Sequence, residues 1–296
     1  MAPADSRGAV LLPALALTFN AFTWGVSWWP LRQLESLGLH PLWATGLIYS
    51  LAVAIITVWR PRAWIDLART PALWLLVIAA GTTNATFNWG VTIGDVVRVV
   101  LLFYLMPLWA VLLARWLLGE RLTPLAMLRV GMALAGAAIV LQPPGAEGFA
   151  WPLPRSLPEW LGVLGGFTFA LNNVMLRREA HHPEAARALA MFAGGALVSL
   201  LVAAGLAGWG AAPWPPALQW PWVAGSLALA CAFLAGNLAL QYGAARLPAN
   251  VTAVVMVSEV LFASVSAVAL GAGAISAPLM AGGALIVGAS LLAARG

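Results

Sequence analysis

Ten long apolar runs, joined by short connections, make up most of this 296-residue sequence. A helix needs about 20 apolar residues to cross the roughly 30 Å hydrocarbon core of a bilayer. Charged residues form only 8% of the chain, against about 25% in a typical soluble domain. The pattern therefore excludes a soluble domain and predicts an all-α polytopic membrane protein with ten transmembrane helices. The predicted spans cover residues 10–31, 41–59, 71–91, 96–118, 123–141, 158–176, 184–208, 221–243, 249–270 and 276–293.

The placement of arginine predicts the orientation of these spans. All fifteen basic residues are arginines, and with a cytoplasmic N-terminus only Arg32, Arg98 and Arg155 fall on the outer side. Cytoplasmic loops carry an excess of basic residues, so we expect both termini in the cytoplasm. The arginines lie in short loops and form no basic stripe with interleaved aromatic residues. The net charge of +5 therefore predicts no nucleic acid partner.

The longest connection, residues 142–157, divides the chain into two halves of five spans each. We place the first half at residues 1–147 and the second at 148–296. An odd number of spans in each half makes the second half enter the membrane with the opposite orientation. The sequence therefore predicts two inverted five-helix repeats.

Matched amide side chains favour such a duplication. Sliding the sequence by 153 positions lays Asn84 on Asn237 and Asn88 on Gln241. The two amides of each pair are four residues apart, so they share one helix face. Amides are costly in hydrocarbon unless they bond to a partner or to water. The pairs predict a polar cavity shared by the two halves, and the alternative is that they form structural contacts between helices.

The same shift lays Met106 on Glu259, the single carboxylate well inside a predicted span. Ionisable residues at that depth are costly and are functional candidates by default. A carboxylate that faces the cavity would hold a substrate ammonium group or exchange a proton. The alternative is a carboxyl group that is neutral or hydrogen-bonded to a neighbouring helix.

Further polar and aromatic residues are expected to line the same cavity. Span one aligns with span six at a shift nearer 146, which lays Ser27 on Asn173, beside Asn172. Amides next to aromatic side chains suit an amphipathic ligand with a flat apolar part. Many of the sixteen tryptophans lie near span ends and are interpreted as interfacial anchors. The predicted substrate-binding residues are Asn20, Trp24, Ser27, Asn84, Asn88, Tyr104, Met106, Asn173, Asn237, Gln241, Tyr242 and Glu259.

Three residues near span four are candidates for gating. Asp95 and Arg98 are three residues apart at the outer end of spans three and four. They form either an external ion pair that gates the site or a plain solvated pair at a helix end. Pro107 is expected to kink span four, because proline removes one backbone hydrogen bond.

Short motifs give the chain a family resemblance. They are Trp24-Gly25-Val26-Ser27, Met106-Pro107-Leu108-Trp109-Ala110, Gly119-Glu120-Arg121-Leu122-Thr123 and Glu259-Val260-Leu261-Phe262-Ala263. With ten spans in two repeats, the chain resembles the EamA type of the drug/metabolite transporter superfamily, and within it the YddG-like exporters of aromatic amino acids. The second half departs from the family pattern, with Val260 in place of the proline and Ala272-Gly273 in place of Gly-Glu.

The resemblance implies a secondary transporter of the bacterial inner membrane that exports amino acids, aromatic or otherwise amphipathic, or related metabolites. It implies alternating access, in which spans three, four, eight and nine pivot against spans one and six. The alternatives are an exporter of cationic drugs or other metabolites, or a non-transporting membrane scaffold or channel. The expected partners are a small-molecule substrate and the lipid bilayer, and the chain is interpreted as a monomer.

The sequence carries no constellation typical of an enzyme. All three histidines lie in loops, and the single cysteine has no nearby histidine to activate it. Metal-binding and phosphate-binding motifs are absent. We therefore predict neither catalysis nor a cofactor nor a metal site.

Overall fold

The computed structural model describes residues 6–119, 123–142, 153–244, 246–247 and 249–293. All regular secondary structure in these ranges is α-helical, which confirms the all-helical prediction for them. Glu120, Arg121 and Leu122 of the predicted Gly-Glu motif lie outside the described residues. So does the 143–152 part of the connection between the two halves.

The described ranges contain fourteen helices, and each predicted apolar run coincides with one helix or with two in succession. Runs one, four and nine are each split in two, and α4 is an additional short helix between runs two and three. The helices are α1 (Ser6–Val26), α2 (Trp28–Ser36), α3 (Pro41–Trp59), α4 (Arg62–Arg69), α5 (Pro71–Ile93), α6 (Val96–Phe103), α7 (Met106–Leu117), α8 (Pro124–Val140), α9 (Leu157–Arg178), α10 (Glu184–Gly208), α11 (Trp220–Ala244), α12 (Ala249–Met256), α13 (Ser258–Ala269) and α14 (Ala277–Ala293).

Several of these helices have the length and composition of membrane spans. Within the described ranges, four stretches are long and apolar enough to cross a bilayer, and the α4–α5 pair, bent by 103°, is a fifth candidate. The helices α8 and α14 have 17 residues each and are shorter than this standard. The count of ten spans and their orientation therefore stay predictions. The four stretches are Pro41–Trp59, Val96–Leu117, Glu184–Gly208 and Trp220–Leu240.

Serine and proline residues mark the points at which three of the runs are split. The hydroxyls of Ser27 and Ser258 each donate to the carbonyl three residues earlier, at 2.8 and 2.6 Å. Such a bond competes with the backbone ladder and bends a helix. Between α6 and α7 the break falls at Tyr104 and Leu105, just before Pro107. Proline is tolerated at the start of α7 because the N–H that it lacks would have no partner there.

The helices pack in a pattern that recurs between the two halves. The helix α1 packs on α11, α12 and α13, and α9 packs in the same way on α5, α6 and α7. The helix α3 packs on α10, and α8 packs on α14. A shift of five predicted spans relates these contacts to one another. This arrangement brings α1, α5, α9 and α11 around one cavity.

Two facing glycines fix the position of α5 against α10. A Cβ atom added to Gly81 would collide with the backbone carbonyl of Gly194, and one added to Gly194 would collide with that of Val77. Small residues at membrane helix interfaces allow this close approach, since association there depends on van der Waals packing. The contact matters for the cavity because both helices contribute residues to its lining.

Candidate functional site

A cavity of about 180 Å³ lies between the helices of the two halves. Residues of α1, α3, α5, α6, α9, α10, α11, α12 and α13 line it. Apolar side chains dominate and a few polar groups are interspersed, which is usual for small-molecule sites. The lining residues are Asn20, Trp24, Tyr49, Ala80, Thr83, Asn84, Phe87, Phe103, Phe169, Asn172, Met191, Phe192, Phe233, Asn237, Leu240, Met256 and Glu259.

Aromatic rings form two walls of the cavity. The indole of Trp24 stacks on the ring of Phe233, with centroids 4.5 Å apart and an interplanar angle of 14°. On the other side, the ring of Phe103 lies 4.7 Å from that of Phe87 and 5.2 Å from that of Phe169. Offset and tilted pairs of this kind hold the rings rigidly. The walls therefore present flat apolar surfaces to whatever occupies the cavity.

Two buried amides in the lining have unused hydrogen-bonding capacity. Asn20 is 1% exposed, and neither its Oδ1 nor its Nδ2 has a partner among the described residues. Asn172 is 2% exposed, and its Oδ1 is likewise unpaired. Buried polar atoms are normally paired, and a group that is not needs an explanation. A bound molecule in the cavity would supply the missing partners.

Asn172 lines the cavity in place of the predicted Asn173. Asn173 is exposed on the outside of α9 and does not line the cavity, whereas Asn172 does. One residue along a helix is a rotation of about 100°, which moves a side chain to a different face. Asn20 and Asn172 are 152 positions apart, close to the 153 that separates Asn84 from Asn237. The shift of 146 used for span one therefore selected an amide that lies outside the lining.

The amide of Asn84 lines the cavity, and each of its two polar atoms already has a hydrogen-bond partner in the protein. Its Oδ1 accepts a hydrogen bond from the Tyr49 hydroxyl at 2.5 Å, and its Nδ2 donates to the Ala80 carbonyl at 2.8 Å. The bond from Tyr49 joins α3 to α5, and the bond to Ala80 lies within α5. The side chain thus has a structural role, the alternative that the sequence left open. Its counterpart Asn237 also lines the cavity.

Several predicted binding residues lie away from the lining. Asn88 is fully buried and donates to the Thr45 hydroxyl at 3.1 Å. The Ser27 hydroxyl donates to a backbone carbonyl at the α1–α2 break. The ring of Tyr242 lies under the guanidinium of Arg246, 3.9 Å from its centroid, and is not part of the lining. The side chain of Gln241 lies outside the described part of the chain.

Glu259 lies on the cavity next to two helix breaks. The Tyr104 hydroxyl donates to Glu259 Oε2 at 3.4 Å and lies 3.5 Å from the Met256 carbonyl. Glu259 is in the first turn of α13, where the helix dipole favours a negative charge. Tyr104 thus joins the break after α6 to the start of α13, but it is not itself one of the lining residues. Met106 packs among apolar residues around α7 and does not line the cavity.

The predicted ion pair between Asp95 and Arg98 does not form. The Asp95 carboxylate accepts from the backbone N–H of Arg98 at 2.9 Å and thereby caps α6. The Arg98 guanidinium bonds instead to Glu159 Oε1 at 2.7 Å and to the Val140 carbonyl at 2.6 Å. It therefore ties α6 to α9 and to the end of α8. A helix-capping role explains why the aspartate turns away from the nearby arginine.

The two ends of the cavity differ in how tightly the helices close over it. At the end where α1 stops, the Trp28 indole N–H donates to the Ser266 hydroxyl at 2.9 Å, and α6 packs against α13. Nearby, the Arg32 guanidinium donates to carbonyls at the end of α5. At the opposite end, the described parts of α7 and α12 show no comparable packing. The cavity is therefore closed at the Trp28 end and looser at the other.

Potential metal ligands lie away from the cavity. Glu179, His181 and His182 have ligand atoms within 4.8 Å of one another in the turn between α9 and α10. Glu179 is engaged there by His182 Nε2 and by Arg178 Nε, each at 3.4 Å. The lining residues that the structure describes include one carboxylate and neither histidine nor cysteine. It does not offer the ligand set that a transition metal prefers.

Comparison with known proteins gives the chain a family context. A model of the EamA-like transporter family matches residues 11–142, which extend from α1 through α8. The match covers somewhat less than half of the chain, and over these residues the chain is similar to that family. The long apolar helices of the described ranges agree with this similarity to a family of membrane transporters.

Two bacterial relatives and one solved structure extend the comparison. An uncharacterized transporter of Vibrio cholerae is 26% identical over 144 residues, 46% of this chain and 46% of the relative. The chloramphenicol-sensitive protein RarD of Pseudomonas aeruginosa is 34% identical over 115 residues, 36% of this chain and 38% of the relative. Both alignments span less than half of the relative's length. A crystal structure matches over 97% of this chain and 96% of its own, with a TM-score of 0.56 and 21% identity, which supports the fold alone.

Proposed function

We propose that the chain is a secondary transporter that exports amino acids or related amphipathic amines by alternating access around this cavity. The observation that carries the proposal is that Asn20 and Asn172, two buried amides with unpaired polar atoms, line the same cavity as Glu259. A buried amide without a partner is unfavourable unless a ligand or water completes it. Because these groups project from α1 and α9, one from each predicted repeat, a ligand between them would contact both halves.

The chemistry of the lining supports an amphipathic amine as the transported molecule. Among the described residues of the lining, Glu259 is the one with a charged side chain, and it suits a substrate ammonium group. Amides both donate and accept, so Asn20 and Asn172 suit the carboxylate or carbonyl end of the same molecule. The aromatic walls formed by Trp24 and Phe103 suit a flat apolar side group.

The closed and loose ends support a direction of loading. Arginine is concentrated at the loose end, which the orientation predicted above places in the cytoplasm. In this state the substrate enters from the cytoplasm while Trp28 and Ser266 close the outer side. Opening of that contact, with closure between α7 and α12, would complete the cycle of a carrier whose halves, residues 1–147 and 148–296, act as inverted repeats. One chain supplies the whole cavity, so the monomer is the proposed unit in the bacterial inner membrane.

Uptake into proteoliposomes tests this function. Purified protein would be reconstituted and offered labelled aromatic, aliphatic and basic amino acids, with and without a pH gradient. We expect saturable uptake of at least one aromatic amino acid or amine, reduced in Asn172→Ala and retained in Asn173→Ala. The second variant is a matched control because it removes the same amide from the adjacent, exposed position. Equal uptake by all three proteins would contradict the proposed site.

Export of cationic drugs is the second candidate, and one observation favours it. None of the described lining residues is basic and able to pair with a substrate carboxylate, while Glu259 can pair with a cation. A substrate that carries only a positive charge therefore fits as well as a zwitterion. Adding labelled aromatic cations to the uptake panel separates the two candidates. Flux of the cations without flux of any amino acid would favour drug export.

A further inference from the structure

The short helix α4 lies across the end of α5 instead of continuing it. The two helix axes meet at 103°, with only Thr70 between them. Because α5 coincides with a predicted span, α4 runs roughly parallel to the membrane plane. The indole N–H of Trp64 donates to the Thr57 hydroxyl at 2.9 Å, and α4 packs on α10. The helix is thus held by α3, α5 and α10 at the arginine-rich end of the bundle.

Three faces of α4 have different chemistry. Ala63 and Leu67 lie one helical turn apart and are buried against the protein, at 2% and 1% exposure. Trp64 and Ile65 point away from that face and are 39% and 50% exposed, and Trp59, the last residue of α3, is 75% exposed. Exposed aromatic and aliphatic residues of this kind are typical of helices that lie in the membrane interface. The remaining face carries basic residues.

The basic residues around α4 have no protein partner. Arg60, Arg62 and Arg69 are exposed, and their guanidinium groups make no hydrogen bond or ion pair within the described ranges. Asp66 is the one acidic residue between positions 60 and 70, which leaves a local excess of positive charge. Positive charge beside an interfacial apolar surface attracts anionic lipid, by about 1 kcal/mol for each basic residue.

We propose that α4 and Arg60 form a binding site for the headgroups of anionic phospholipids. Arg60, Arg62 and Arg69 contact the lipid phosphates, while Trp64 and Ile65 lie among the upper parts of the acyl chains. Arginine suits this role because its planar guanidinium donates two hydrogen bonds to one phosphate. Charge complementarity and the in-plane orientation of the helix both favour a lipid over a soluble anion.

The site is placed to influence the cavity. The helix α4 is joined directly to α5, which carries Asn84, and it packs on α10, which carries Phe192. The corresponding connection of the second half, residues 209–219, contains no charged residue. Lipid binding at α4 therefore acts on one half only, at the end where the cavity is loosely closed.

Thermal unfolding in detergent tests the lipid site without any transport measurement. Purified protein in a neutral detergent would be titrated with phosphatidylglycerol or with phosphatidylcholine. We expect phosphatidylglycerol to raise the unfolding temperature in a saturable way and phosphatidylcholine to have little effect. Each arginine removed should raise the lipid concentration at half-effect about fivefold, and the Arg60→Gln, Arg62→Gln, Arg69→Gln triple variant about 100-fold.

Matched variants separate this site from a general effect of charge. Arg155→Gln removes an exposed arginine at the opposite end of the bundle and should leave the phosphatidylglycerol response unchanged, whereas Arg62→Gln should weaken it. A triple change of the three arginines to lysine keeps the charge and should keep the response. The proposal is overturned if phosphatidylcholine acts equally well, if Arg155→Gln weakens the response as much as Arg62→Gln does, or if a folded triple Gln variant responds like the wild type. If the triple variant does not fold, the two single variants decide.

Discussion

Asn20 and Asn84 are both amides of the cavity lining, yet their removal should change stability in opposite directions. Asn20 has two buried unpaired atoms, and an unsatisfied buried polar group costs about 1–3 kcal/mol. Asn20→Ala removes that cost, offset by the loss of a few van der Waals contacts beside an existing cavity. Asn84→Ala instead leaves the buried Tyr49 hydroxyl without its acceptor, a loss of about 1–3 kcal/mol. The free energies of unfolding of the two variants should therefore differ by about 2–4 kcal/mol.

The two variants are compared by thermal unfolding and by uptake kinetics. At about 2–4 °C for each kcal/mol in a chain of this size, Asn20→Ala should unfold at least 4 °C above Asn84→Ala. If a substrate amide or carboxylate bonds Asn20, its loss should also raise the apparent KM for uptake about tenfold, the equivalent of one hydrogen bond. A fall in unfolding temperature for Asn20→Ala as large as that for Asn84→Ala would refute the reasoning, because it would mean that Asn20 is bonded within the folded protein.

Three further predictions concern charge, packing and pH. Glu259→Gln keeps an acceptor for the Tyr104 hydroxyl but removes the charge, so uptake should fall at least tenfold while the unfolding temperature changes little; normal uptake would exclude Glu259 as a ligand. Gly194→Val should prevent the close approach of α5 and α10 and abolish a monodisperse peak in size-exclusion chromatography, whereas Gly208→Ala, with open space around it, should not. Burial lowers the pKa of His40 below its usual 6.5, and its neutral ring caps α3, so this part of the stability is present above about pH 6.5 and declines as the pH falls. His40→Asn keeps a capping side chain without a proton to gain, so its unfolding temperature should vary less between pH 7.5 and 5; an identical pH dependence would contradict this account.

Hydropathy and the internal repeat were enough to predict the helices and part of the cavity. Apolar runs of about 20 residues leave a chain few alternatives to helices, since backbone groups in hydrocarbon must bond within their own segment. The shift of 153 positions selected Asn84, Asn237 and Glu259, which all line one cavity, although Asn88 and Met106, selected in the same way, do not. That selection worked because polar groups are rare in such runs and their positions stand out.

The sequence could not predict contacts that depend on helix rotation or on distant partners. To choose between Asn172 and Asn173, the rotation of α9 about its axis must be known to better than about 100°. An alignment of the two repeats does not give this rotation, because the loops between the spans differ in length. The bond from Arg98 to Glu159 joins residues 61 positions apart, and the nearer Asp95 was the obvious partner. Tyr49 was missed because one aromatic residue in an apolar span carries no signal before the helices are packed.

The breaks that divide α6 from α7 and α12 from α13 fall at equivalent positions, since Tyr104 and Val257 are 153 residues apart. Only the first is followed by a proline; Val260 stands where the second would have Pro107. A segment with Pro107 at this position can never regain an uninterrupted backbone ladder, because one donor is missing. The second segment has a backbone N–H donor at every position between residues 249 and 270. It alone can therefore change from two helices with a bend to one continuous helix. Pro107 therefore fixes the bend between α6 and α7, whereas the bend between α12 and α13 is free to straighten during the transport cycle.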